Sequence, residues 1–233
     1  MSTLNELRTM VRDITDLEDE VDIPTSLIDL YVRDGFERIL NLERRWPFLE
    51  ETATFDTVAA QREYSIANIG NGDFREITSI VDTSSAGNRF DLISHDEAER
   101  IWLGTLDTTS RPLYWSEWDD IIHMWPKPDA VYPIKVRGYR KPSFTWLTNA
   151  DQEIDCDDRL HIALAYYAIS RAYQRQEDPE LAAMYKQSFD EAVALARREL
   201  TRGPSYRNLI MSGGSPVMNE RLWLQHLGRT LGQ

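Results

Sequence analysis

The sequence predicts an α+β fold: a four-helix bundle from two N-terminal and two C-terminal helices, an inserted antiparallel β module, and an extended C-terminal arm. Three observations carry this. Apolar residues recur at helical spacing in 1–49 and again in 150–203. Between them, residues 50–149 change to alternating, β-branched and aromatic-rich runs separated by turn residues. Beyond Gly203, residues 204–233 contain Gly213-Gly214-Ser215-Pro216, which cannot hold a stable helix and behaves as a flexible link.

The first helix is expected over 3–14. Leu4, Leu7, Met10, Val11 and Ile14 form its apolar stripe, and Thr3 with Glu6 makes a capping box. An acidic connector follows, with Asp16, Glu18, Asp19, Glu20 and Asp22. Thr25 or Ser26 is the expected cap of the second helix, whose apolar positions are Leu27, Ile28, Tyr31, Phe36, Ile39 and Leu40. Pro47 ends it, because the residue before a proline disfavours helix. Trp46 and Phe48 at that exit should pack the helix end onto the next layer.

In the β module, TATFDTV and REYSI give strands, and REITSIVDT, SSAGN, RFDLIS gives strand, turn, strand. Ser94 should cap a short helix through Leu103, with Asp96 and Glu97 where the helix dipole favours anions. LYWSEW, DD, IIHMW predicts a tight hairpin. AVYPIKVRGYR is a further strand, and Pro133 argues that it starts late or lies at an edge.

Helical periodicity returns at Asp155, the expected cap of a helix with Leu160, Ala163, Leu164, Tyr167, Ala168 and Ala172 on its apolar face. It is apolar nearly all round from Ile162 to Ile169, which predicts a central position. Asp178-Pro179 caps and opens the last helix. Leu181, Met184, Tyr185, Ser188, Ala192 and Leu195 are expected on one side of it, Arg197, Arg198 and Arg202 complement its C-terminal dipole, and Gly203-Pro204 stops it.

Composition narrows the functional classes. At 233 residues and 42% hydrophobic content the chain supports a packed core, which excludes wholesale disorder. The net charge of −13 is uneven: −15 up to Gly203 and +2 beyond it. An acidic body repels DNA phosphates at long range, so DNA would be touched in passing and not held. The single cysteine, Cys156, excludes an intrachain disulfide and fits a reducing cytoplasm. No apolar run approaches the roughly 20 residues of a membrane span. The polar, amphipathic start MSTLNELRTM is no signal peptide, so a soluble protein made in the cytoplasm, with no membrane partner, is expected.

Motifs for catalysis are missing. There is no P-loop, dinucleotide-binding glycine motif, metalloprotease helix motif or Gly-x-Ser-x-Gly. His95, His123, His161 and His226 lie far apart in sequence. His95-Asp96-Glu97 is a helix start, since adjacent helical residues do not converge on one metal. Asp119-Asp120 is a turn and not a hydrolytic pair, which would have to face across a substrate. His123, alternating with Ile122 and Met124, is a half-buried sheet residue. Trp102, Tyr114, Trp115, Trp118, Trp125 and Tyr132 could stack on sugars or bases, but no basic groove accompanies them, and core or interface packing is preferred. The acidic connector lacks the glycine and final glutamate of a calcium-binding loop. Neither a metal nor a cofactor is expected.

The arm asks for a partner. Leu209, Ile210 and Met211 precede the glycine hinge, and after it Asn219 can cap a short helix carrying Trp223, Leu224, Leu227 and Leu231 on one face. So short a helix is marginal alone, and burial of each such side chain on a neighbour contributes roughly 1.5–3 kcal/mol. The alternative is that the arm folds back on its own helices.

The stretches LNELRTMVRDI, IPTSLIDLYVRDGFERILNLERRWPFLEE and IDCDDRLHIALAYYAISRAYQRQEDPELAAMYKQSFDEAVALARREL, with the β module between, resemble the bacteriophage head-to-tail adaptor (neck or connector) proteins over roughly 1–202. The resemblance implies a non-enzymatic virion protein that forms a ring, typically of twelve copies, below the portal. It also implies C-terminal arms lodged against portal subunits, a continued channel for double-stranded DNA, and a platform for the next tail or neck protein. On that layout Leu209, Ile210, Met211, Val217, Met218, Leu222, Trp223, Leu224 and Leu227 become portal contacts, and Asp16, Glu18, Asp19, Glu20 and Asp22 become channel-facing acids. Competing expectations are another neck or tail subunit (stopper, terminator or tail tube), a carbohydrate-active hydrolase, or a cytoplasmic adaptor with an apolar tail.

Overall fold

Seven strands and five helices build a mixed α+β architecture in the computed structural model, which describes residues 3–17, 23–84, 88–102 and 108–201. Helices α1 (Leu4–Thr15) and α2 (Thr25–Leu42) precede strands β1 (Glu50–Asp56), β2 (Glu63–Ser65), β3 (Phe74–Asp82) and β4 (Arg89–Leu92). After α3 (His95–Trp102) come β5 (Tyr114–Trp118), β6 (Ile121–Trp125) and β7 (Pro133–Arg140), then α4 (Asp158–Arg175) and α5 (Pro179–Leu200). Described residues as far as Ala196 belong to one compact unit, with a second unit from Arg197 onward.

Helix α1 starts as expected, with both arms of the Thr3/Glu6 capping box formed. It buries Leu4, Leu7, Val11 and Thr15, while Met10 and Ile14 are only half-buried. Helix α2 departs from expectation, because no side chain caps it and Pro24 is the residue before its first turn. The Thr25 hydroxyl instead accepts from Arg12 at 2.8 Å, tying the start of α2 to α1. At the other end the expected role of Trp46 holds. Its indole donates to the Ile39 carbonyl at 3.0 Å and its ring stacks on Phe48, so a helix-end acceptor is satisfied inside the core.

Helices α1, α2 and α4 pack on one another. Gly35 is where α2 comes closest to α4, and a Cβ there would sit 3.1 Å from the Tyr167 ring. Helix α4 is the buried centre, with His161, Leu164, Ala168, Ile169 and Ser170 all inside. Its cap is Asp157, which accepts from Arg159 N, and not Asp155; that carboxylate is occupied by Arg140. Helix α5 has the expected Asp178 cap, which accepts from Leu181 N at 3.0 Å. The face it buries is not the expected one. Ala182, Phe189, Val193 and Ala196 go inward, with Phe189 against Tyr167. Met184 and Leu195 on the expected face are each 50% exposed. The Phe189 ring reaches Tyr167 of α4, centroids 5.1 Å apart, and that one large contact outweighs the larger count of apolar side chains on the other face.

The strands form one curled sheet of order β1-β7-β3-β4-β5-β6-β2. All ladders are antiparallel except β4 with β5, which is parallel, so the wholly antiparallel module of the sequence reading is corrected. Parallel neighbours need a crossover, and α3 lies in that connection. Ala53, Ile77, Ile80, Ile134 and Val136 from one half of the sheet share a single core with Tyr64, Trp115, Ile122 and Met124 from the other. The β5–β6 hairpin turns through Asp119 and Asp120 at φ 53° and 56°, the two positive values a twist-matched two-residue turn requires. Strand β7 does begin at Pro133, yet it is internal, between β1 and β3. As first residue of the strand, the proline interrupts no ladder.

Candidate functional site

None of the arm residues Leu209, Ile210, Met211, Val217, Met218, Leu222, Trp223, Leu224 and Leu227 lies among the described residues, nor do Glu18, Asp19, Glu20 and Asp22. Of the expected site residues only Asp16 is described. It ends α1 in the left-handed conformation at φ 55°, its backbone N–H donating to the Arg12 carbonyl.

The helices meet the sheet at a polar clasp surrounded by aromatic rings. Arg140 at the end of β7 holds Asp155 with two hydrogen bonds of 2.5 and 2.6 Å, and Asp155 also accepts from Ser143 N at 2.7 Å. The carboxylate holds the Arg140 guanidinium above its usual value. Beside the clasp, Phe36 of α2 meets Phe144 and Trp146 edge-on at 5.5 and 5.7 Å. The Cys156 thiol next to it is pushed up by burial and by Asp155, Asp157 and Asp158, so it stays protonated and unreactive.

A second polar cluster lies where α3 covers the outer face of β5 and β6. His123 faces Ser116 across the ladder, opposite in direction to the core residues Ile122 and Met124, as alternation predicts. The Ser94 cap places α3 so that His95 sits on this face, with Nδ1 3.2 Å from Ser116 Oγ. Trp125 Nε1 donates to the same oxygen at 3.0 Å. Ser116 Oγ thus links Trp125 Nε1 to His95 Nδ1, and His95 Nε2 lies 3.5 Å from Glu99. His123 Nδ1 is 3.9 Å from Glu63, and its buried Nε2 has no hydrogen-bond partner among the described residues. Burial first, and then His95, hold His123 below the usual imidazole value. Sequence separation concealed this pairing; only the alternation of β6 and the cap of α3 hinted at it.

The aromatic set does not assemble into a stacking platform. Trp115 and Trp125 are buried, Tyr114 is half-buried, and Trp118 is largely exposed. Asp119 and Asp120 form the turn, as expected. Among the described residues no group of three or more His, Cys, Asp or Glu is placed to hold a metal, and no helix is long and apolar enough to cross a membrane.

The family model described as SU10 adaptor protein matches residues 2–209. The chain belongs to this phage head-to-tail adaptor family. The adaptor is therefore a structural protein by family, and membership implies a place in the virion neck and interaction with portal and tail components. A search of curated proteins finds no match to the adaptor. The match spans both helical segments and the inserted sheet, so the clasp and the α3 cluster are parts of the adaptor body and not additions to it.

Proposed function

We propose that this adaptor forms a ring below the portal, twelve copies in the simplest case, joins head to tail and extends the DNA channel. Its helices α1, α2, α4 and α5 act as one four-helix unit, with 50–149 as an inserted domain and 204–233 as an arm that docks on portal subunits. Leu209, Ile210, Met211, Val217, Met218, Leu222, Trp223, Leu224 and Leu227 supply the apolar contacts of that arm. Asp16, Glu18, Asp19, Glu20 and Asp22 face the channel, where repulsion of phosphate lets the genome slide without the counterion release that would hold it. The lower rim receives a downstream tail or neck protein. No catalytic step and no cofactor enter this reading.

The family match over 2–209 carries the reading. The acidity of the body and the apolar character of the last thirty residues support it. The test is to mix the full chain with purified portal rings, with and without residues 204–233, and image the products. The full chain is expected to decorate one end of the portal, and the shortened chain to lose most of that binding. Equal binding by both would remove the docking role of the arm. Binding to a tail tube but not to the portal would favour a terminator or tail-tube subunit. Lysine at the connector acids should slow DNA ejection, and unchanged ejection kinetics would remove the channel assignment.

A further inference from the structure

Helix α3 lies over the outer face of β5 and β6 on a narrow footing. Among its described side chains Ala98 is buried and His95 mostly so, while Asp96, Glu97, Glu99, Arg100 and Ile101 are exposed. An alanine methyl removes little apolar area from water, so the closure of α3 depends heavily on what His95 meets. It meets aromatic rings: His123 of β6 at 4.6 Å, Trp118 of β5 stacked at 5.7 Å, and Trp125 edge-on at 6.2 Å. Ser116 Oγ, 3.2 Å from Nδ1, completes the seat. His123 is enclosed beneath this contact. Its Nε2 is buried with no hydrogen-bond partner among the described residues, and its Nδ1 is 3.9 Å from Glu63 of β2. Arg62, whose guanidinium lies 4.2 Å from the centroid of the Trp125 ring, adds positive charge near His123.

We propose that α3 is a pH-operated latch, closed on the sheet while His123 is neutral and released when His123 takes up a proton. A proton on His123 makes both ring nitrogens donors. Nδ1 can aim its hydrogen at Glu63, but the hydrogen on Nε2 would be buried without an acceptor, beside a second imidazole and near a guanidinium. These costs end when α3 lifts and admits water. The carboxylates that favour the charged ring are weakly placed to offset them. The Glu63 side chain is 65% exposed, and that of Glu99, 3.5 Å from His95 Nε2, is 57% exposed, so water screens both. The other charged groups of α3, Asp96, Glu97 and Arg100, are exposed as well. Burial and His95 hold His123 below the ordinary imidazole value of 6.5 in the closed form, and in the open form it returns to that value. Opening is therefore equally hard at every pH above 6.5 and becomes easier as pH falls through it. One proton gives up to about tenfold per pH unit, until the closed-state value is passed. Release uncovers Ser116 and His123, both buried in the closed form. The latch is a property of a single copy and does not depend on the ring.

Amide hydrogen exchange of the full chain, read by mass spectrometry in steps from about pH 8 to about pH 5.5 and corrected for the intrinsic rate, tests this. Protection of peptides covering 95–102 should hold steady above about pH 6.5 and fall below it by up to about tenfold per unit. It should also stay below the protection of α4 peptides at every pH, which marks a local opening. Coinciding α3 and α4 values across the series would mean global unfolding and would overturn the latch, as would α3 protection that does not change with pH. The variant H123F keeps a ring under His95 but takes up no proton, so it should flatten the α3 profile; a slope equal to wild type would remove His123 from the device. Circular dichroism checks its fold. The wild-type ring protons of His123, followed by NMR, assign the proton without any substitution: they should titrate together with the loss of α3 protection. Titration of His123 while α3 stays protected would overturn the proposal even if H123F does not fold.

Discussion

His95 and His123 lie ring against ring, their centroids 4.6 Å apart, and so join α3 to the outer face of β6. Each has a carboxylate on its outer side, Glu99 for His95 and Glu63 for His123, and Arg62 adds positive charge near His123. Two imidazolium rings this close would repel, and burial already disfavours charge on His123.

That pair makes stability depend on pH. His123 and His161 are both held below the ordinary value of 6.5, burial being the first cause for each. The unfolded chain therefore takes up protons near pH 6.5 that the folded chain refuses. Stability should be flat above that pH, fall as pH drops through it, and level off below the folded-state values. The variant His123→Phe keeps a ring under His95 and should reduce the slope while His161 preserves part of it. Denaturant unfolding at a series of pH values measures this, and an unchanged slope would count against the assignment.

Glu51 behaves in the opposite sense. Burial first, and then the neighbouring Asp73, raise its carboxyl above the usual value. Its folded form holds a proton more tightly than the unfolded chain, so its contribution is present at acid pH and lost as pH rises through the folded value. Glu51→Gln removes the repulsion and leaves an oxygen to accept from Asn71, now 3.3 Å away. A gain of a few tenths to about 1 kcal/mol at pH 7, absent at pH 4, is expected from paired denaturation curves.

Gly138 has a different constraint. A Cβ there would meet the Glu76 carbonyl at 2.1 Å, against backbone that cannot yield like a side chain. Register shifts flank this point of the β3–β7 ladder, between Phe74 and Glu76 and between Ile77 and Ser79. Gly138→Ala should cost about 1–3 kcal/mol by overpacking and speed amide exchange in β3 and β7. Wild-type exchange in both strands would contradict it.

Removing one partner of the Arg140–Asp155 clasp strands the other and frees Ser143 N from its acceptor. Asp155→Ala is expected to cost about 2–3 kcal/mol, below the range of fully buried pairs because both side chains keep some solvent access. A double-mutant cycle with Arg140→Ala should return a coupling of about 1 kcal/mol or more. Strict additivity would show that the two residues act separately.

Local chemistry was legible wherever the signal sits within a few residues. The Thr3/Glu6 box, the Ser94 and Asp178 caps, the Asp119-Asp120 turn and the late start of β7 at Pro133 all formed as expected. Two caps did not. Thr25 and Asp155 are good capping types by sequence, but each is held by an arginine, Arg12 and Arg140, and that competition cannot be read from flanking residues. On α5 the larger apolar residues Met184 and Leu195 stay half-exposed while Ala182, Phe189, Val193 and Ala196 are buried, a choice that flanking residues do not reveal. The residues proposed for portal docking lie outside the described residues.

By itself the sequence determined the order of elements, the α+β class, the local caps and turns, and enough pattern to match an adaptor family, because periodicity and backbone preference act over a few bonds. Only the tertiary structure decided the parallel β4–β5 pair, the inward face of α5 and the pairing of His95 with His123. Those depend on which distant surfaces exclude water from each other, and the fit of whole faces governs that choice where composition along the chain does not.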